Sequence, residues 1–197
     1  MRIIGLTGPS GAGKSRVCEY FKSIGVPVIN ADEVYHGLLV PPSLCLDALG
    51  NAFGKEIFNE CGELSRKKLS EIVFSDKEKL ELLNKTVLGF VLDRIREMII
   101  ELENNGKRAV IVDAPTLIES GFHKECGTVI SVLCPACVRI KRIMERDSLD
   151  LSAAEARTKA QKPDEFYISH SDEIIINDQS EAELIAKAEA LAKKLSL

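Results

Sequence analysis

A surplus of basic charge is the first thing the chain lacks. Its 26 lysines and arginines are outnumbered by 30 aspartates and glutamates, which leaves a formal net charge of −4. No blanket electrostatic attraction therefore draws it to nucleic acid or to an anionic membrane, although a local basic groove is compatible with that balance. Long apolar runs are absent as well. None approaches the ~18–20 residues that a spanning helix needs. The apolar part of Met1-Arg2-Ile3-Ile4-Gly5-Leu6-Thr7 is too short for a secretory signal and reads as a buried strand. There is no internal repeat and no low-complexity linker. The six cysteines, at 18, 45, 61, 126, 134 and 137, are scattered through a chain large enough to fold without covalent staples, so free thiols in a reducing cytoplasm are expected. Cys134-Pro135-Ala136-Cys137 has redox-dithiol spacing but not its own βαβ setting, and no second cysteine pair completes a zinc site. With 197 residues, 45% of them hydrophobic, the chain can bury a sizeable core as one domain over 1–197.

Strand and helix patterns alternate along it. Residues 2–7 form a short apolar run ending at glycine, as a buried parallel strand does. Val17, Tyr20, Phe21 and Ile24 recur at helical spacing from Lys14 onward, and Gly25 is a natural stop. Val26 to Asn30 reads as a second strand. From Glu33 to Asn105 helical periodicity dominates, with Phe90, Val91, Ile95, Met98, Ile99 and Leu102 marking one buried face. Ala109–Val112 and Thr128–Leu133 are β-branched runs, and Glu173–Asn177 reads as a last strand. Ser152 with Glu155, and Ser180 with Glu183, have capping-box spacing at two late helix starts. The pattern predicts an α/β fold, a doubly wound parallel sheet with helices on both faces. The stretch over 40–106 is too long for a simple crossover, which points to a helical insertion of the kind that carries substrate specificity.

The strongest motif is Gly8-Pro9-Ser10-Gly11-Ala12-Gly13-Lys14-Ser15, a full match to G-x-x-x-x-G-K-[ST] between a strand and a helix. Its glycines let consecutive backbone N–H groups curl around phosphate oxygens, and the following helix points its positive end at the same anion. Gly11, Ala12, Gly13, Lys14 and Ser15 are thus the expected triphosphate cradle, with Lys14 on the β- and γ-phosphates and the Ser15 hydroxyl on Mg²⁺. A GTPase would add Asn-Lys-x-Asp; Asn84-Lys85-Thr86-Val87 lacks the acid, and no ABC-type signature is present. A small kinase fits better.

Downstream acids and arginines bear on that choice. Asp32 follows the second strand at the carboxyl edge of the sheet, where it is placed either as a base for an acceptor hydroxyl or as the N-cap of a helix starting at Glu33. Asp113, after Val110-Ile111-Val112, reads either as an acid holding Mg²⁺ through water or as another strand-end cap. Arg139, Arg142 and Arg146 share one helix, with Arg157, Lys159 and Lys162 just beyond. They suit a lid over transferring phosphate, or a solvated face with pairs such as one to Glu145. His123 and His170 are isolated in sequence and read as surface residues.

Taken in order, these segments resemble the dephospho-coenzyme A kinases. The resemblance runs along nearly the whole chain: Gly5-Leu6-Thr7-Gly8 into the phosphate loop, Val28-Ile29-Asn30-Ala31-Asp32, Phe53-Gly54, and Gly62-Glu63-Leu64-Ser65-Arg66 with Leu69 and Phe74. It continues through Asp113-Ala114-Pro115-Thr116-Leu117-Ile118-Glu119, Arg142-Ile143-Met144-Glu145-Arg146-Asp147, Arg157 with Gln161, and Ile174-Ile175-Ile176-Asn177. It implies a P-loop kinase core, a helical CoA-binding subdomain over 40–106 and a lid over 140–170. It also implies ATP-dependent phosphorylation of the ribose 3′-hydroxyl of dephospho-CoA in the cytoplasm, with Mg²⁺ and small-molecule partners only. By this likeness Lys14, Asp32 and Arg142 are catalytic, Arg157 and Asn177 contact ATP (Asn177 at the adenine), and Asp32, His36, Arg66 and Asp113 serve the substrate side. The chain departs from the family where Asn30 replaces an acid, His36 an arginine and Leu88-Gly89 a His-Pro pair. An imidazole lacks the permanent charge and five-donor fork of arginine. These departures lie on the acceptor side and leave open a kinase for another nucleoside or nucleotide, or a nucleotide-binding protein without turnover.

Overall fold

The computed structural model describes residues 1–74 and 76–197, with Phe74 given by its backbone; the Phe74 side chain, one of those carrying the resemblance, lies outside the described residues. Two compact units emerge, one of residues 1–30 and 102–197, the other of 31–101.

The first unit is built on five parallel strands, β1 (Arg2–Thr7), β2 (Val28–Asn30), β3 (Ala109–Asp113), β4 (Thr128–Leu133) and β5 (Glu173–Ile176), in the order β2-β3-β1-β4-β5. The chain starts at the centre of the sheet, goes out to the β2 edge, returns inward through β3 and then crosses β1 to β4 and β5 on the other side, a doubly wound arrangement. Register sets Leu6 beside Asp113 and Asn30 beside Asp113, so the carboxyl ends of β1, β2 and β3 lie together. β3 is buried along its whole length, which is why it reads as an unbroken apolar run rather than an alternation. Side chains of opposite parity enter opposite faces. On one face Ile4, Leu6, Ile111, Ile130, Val132 and Ile175 pack with Val17 and Phe21 of α1 (Lys14–Ser23) and Leu184, Ala188 and Leu191 of α9 (Glu181–Lys194). On the other, Leu133 and Ile174 join Ile118, Phe166 and Tyr167, the last two from α8 (Asp164–Ile168). Helices α6 (Ala136–Asp147) and α7 (Leu151–Lys159) follow β4. The capping box of Ser180 and Glu183 opens α9 as expected. The one expected from Ser152 does not form. Asp150 caps α7 instead, accepting from the Ala153 N–H, because it stands one residue ahead of the first turn while Ser152 lies inside it.

The second unit is helical, with α2 (Ala31–Leu38), α3 (Leu44–Phe53), α4 (Arg66–Phe74) and most of α5 (Lys77–Asn104). Leu39, Cys45, Leu46, Leu49, Phe53, Ile57, Leu69 and Val73 form its core. Val91, Ile95 and Ile99 are the buried stripe of α5, with Phe90, Met98 and Leu102 half-buried beside it.

Candidate active site

The loop between β1 and α1 turns through three glycines with positive φ: Gly8 at 133°, Gly11 at 80° and Gly13 at 105°. Two of them have no room for a side chain. A Cβ on Gly8 would sit 2.2 Å from the Val132 carbonyl oxygen, and one on Gly13 would sit 2.4 Å from Asn177 Nδ2. Gly13 is the N-cap of α1, with no side-chain cap and no acid in the first turn. The helix therefore presents its N–H groups and its partial positive charge without an internal carboxylate to compete.

The protein's own donors hold the carbonyl side of this loop. Lys14 Nζ donates to the Gly8 oxygen at 2.8 Å and the Pro9 oxygen at 3.4 Å. Arg142 Nη1 donates to the Gly11 oxygen at 3.1 Å and lies 3.6 Å from Cys134 Sγ. Asn177, buried at the end of β5, donates through Nδ2 to the Ala12 oxygen at 2.8 Å and takes the Leu133 oxygen with its backbone N–H. Arg146 donates to Ser10 Oγ at 3.1 Å, and Gln161 Oε1 accepts from the Ser10 N–H at 3.1 Å. A side-chain frame from α6, the α7–α8 connection and the end of β5 thus shapes the loop.

Arg146 and Arg157 meet on Asp147. Arg146 donates twice to that carboxylate and Arg157 once, each at 2.8 Å. The hydrogen bonds from Arg146, aided by the charges of Arg146 and Arg157, hold Asp147 below the usual carboxylate range. The solvated-face alternative for these arginines fails at Arg139, which is buried, and at Arg142, which reaches the loop. His123 and His170, far apart in sequence, meet edge-to-face with ring centroids 5.9 Å apart, His170 exposed and His123 half-buried.

At the carboxyl end of β3, Asn30 Nδ2 donates to Asp113 Oδ2 at 3.0 Å. The buried Cys18 thiol of α1 hydrogen-bonds the same carboxylate; burial first, then the Asp113 charge, push that thiol well up. An acid at position 30 would face Asp113 as a like charge, whereas the amide supplies a donor. Asp113 and the exposed Ser15 hydroxyl are hard oxygen donors of the type Mg²⁺ takes, so the residues present fit that ion.

In the helical unit Asp32 lies inside the first turn of α2, which begins at Ala31, so it is not the N-cap. The Ala31 start leaves Asp32 exposed as a side chain rather than committed to capping. His36 is one turn on, the i,i+4 spacing that shares a helix face, and its ring lies 5.6 Å from that of Tyr35. Arg66 opens α4, exposed, and its charge acts on the Tyr35 phenol, which burial pushes up. A groove of about 490 Å³ in this unit is lined by Pro41, Pro42, Leu46, Lys55, Phe58 and Asn59 among others. Sequence reasoning gave no loop-holding part to Ser10 or Gln161, and none to Arg139 beyond its helix. Only the i,i+3 spacing of Arg139 and Arg142 hinted at the last of these.

The profile of the CoaE, dephospho-CoA kinase, family matches residues 2–183. The dephospho-CoA kinase of Dehalococcoides mccartyi is 33% identical over 194 residues, 98% of each chain. Among solved structures, TT1252 from Thermus thermophilus superposes with a TM-score of 0.83 at 29% identity, covering 98% of this chain and 97% of the other. The dephospho-CoA kinase from Campylobacter jejuni gives a TM-score of 0.75 at 30% identity, covering 100% and 98%.

Proposed function

The chain belongs to the dephospho-CoA kinase family and phosphorylates dephospho-CoA with ATP as donor, and from that premise we propose which residues carry the transfer to the ribose 3′-hydroxyl. The backbone N–H groups from Gly11 to Ser15 bind the phosphate chain of ATP, and Lys14 leaves the Gly8 and Pro9 carbonyls for the β- and γ-phosphates. Arg142 and Arg157 neutralise the charge that builds on the transferring group, with α6 to α8 as the lid. Asn177 serves the adenine end while holding Ala12. The Ser15 hydroxyl and, through water, Asp113 would hold Mg²⁺, which would screen the phosphate charge. Asp32 accepts the proton of the acceptor hydroxyl; His36 and Arg66 bind the acceptor, and the helical unit carries that half of the chemistry. The free thiols support a reducing cytoplasm as the place of action.

One observation carries this reading: a phosphate loop whose carbonyls are held by Lys14, Arg142 and Asn177 while the first turn of α1 carries no cap and no acid. Asp32→Asn tests the least redundant assignment. Asp32 is not a cap, so the amide should leave the fold unchanged; kcat should fall by ~10²–10⁴ with ATP affinity unaltered. An unchanged kcat would remove the base from the mechanism.

A further inference from the structure

Arg139 is a buried cation with a poor partner. Its residue is 6% exposed, and no part of the transfer described above uses it. Nη1 donates to Gln161 Oε1 at 3.1 Å, an amide oxygen with no formal charge, and Nε has no hydrogen-bond partner among the described residues. A buried guanidinium is costly unless an anion or a full set of acceptors answers it. Its backbone lies against the phosphate loop: a Cβ on Gly11 would meet the Arg139 carbonyl oxygen at 3.0 Å and its Cα at 3.2 Å.

Gln161 Oε1 accepts from the Ser10 N–H of the loop, at 3.1 Å, as well as from Arg139. One oxygen thus sits on a phosphate-loop N–H and a guanidinium at once, the pair of donors that a phosphate oxygen takes. We infer that Ser10 N–H and Arg139 form a phosphate-oxygen subsite for the bound nucleotide, and that Gln161 stands in for that oxygen until the nucleotide arrives. This rests on the kinase reading and extends it, adding Arg139 to the phosphate contacts and making Gln161 a placeholder on the lid. Gln161 suits that part because its short α7–α8 connection carries it away without unfolding a helix. A neutral oxygen yields readily to an anionic one that satisfies the charge.

The test is ADP binding by calorimetry to the full chain without acceptor, for wild type, Arg139→Gln and Gln161→Glu, with thermal midpoints recorded alongside. Arg139→Gln should weaken ADP binding about tenfold or more, the scale of one charge-assisted hydrogen bond. Gln161→Glu puts a permanent carboxylate on Arg139. It should weaken ADP about as much while the thermal midpoint holds or rises, and the KM for dephospho-CoA should not change. Gln161→Glu keeps the test independent should Arg139→Gln fail to fold. ADP affinity within about twofold of wild type in Gln161→Glu would overturn the subsite, as would a loss matched by an equal loss of acceptor binding. Failure of the kinase reading would look different: a wild type that binds ADP yet releases none from ATP when given dephospho-CoA.

Discussion

At the phosphate loop, side chains grip carbonyls: Lys14 takes Gly8 and Pro9, Arg142 takes Gly11 and Asn177 takes Ala12. Each bond fixes a peptide plane, and a plane whose C=O points at the protein turns its N–H the other way. Asn177 is the most buried of the three donors. Asn177→Ala should therefore cost ~1–3 kcal/mol of stability, since the Ala12 carbonyl loses its donor in a dry site, and should weaken ATP as well. Urea denaturation checks it; full stability with weakened ATP binding would mean that Asn177 touches only the nucleotide. The motif and Lys14 were legible because the spacing is set by backbone geometry around a phosphate. The Asn177 contact was not, since 165 residues of sequence separate it from Ala12 and only the sheet joins them.

Among the elements, strands and the final cap were the easiest to read. β1 matches its run of buried residues, and Ser180 with Glu183 forms its box, because both are local signals. Asp150 displaced Ser152 as a cap through a choice of one helical residue, which spacing alone does not decide. The long α5 holds Gly89 in its exposed interior, where a Cβ would meet nothing within 4 Å. Gly89→Ala should stabilise the protein by ~0.5–1 kcal/mol, because glycine pays a backbone entropy cost in a helix that alanine does not. A denaturation midpoint that stays the same or falls would show that this turn of α5 needs the glycine.

For the molecule as a whole, the alternation of strands and helices disclosed the doubly wound class; the length of the central stretch pointed to an insertion over 40–106, where the compact helical unit spans Ala31–Glu101. The strand order followed from neither, because it depends on which strands meet across many residues. Of the candidate site, Asp32 was proposed from the carboxyl-edge rule for such sheets and Asp113 from its place after the Val110-Ile111-Val112 run. The arginine frame was half legible: the spacing placed Arg142 and Arg146 on one face, while Arg139, Gln161 and the Asp147 clamp needed the folded segment from α6 to α8. The central claim is that the phosphate loop performs the transfer, and Lys14→Ala tests it most directly. ADP release should be measured with saturating ATP and dephospho-CoA for wild type and variant. Wild type should release one ADP for each dephospho-CoA consumed, and Lys14→Ala should fall by orders of magnitude with its thermal midpoint kept, since a point charge on the transferring phosphate is gone. A variant turning over within about threefold of wild type would contradict the account.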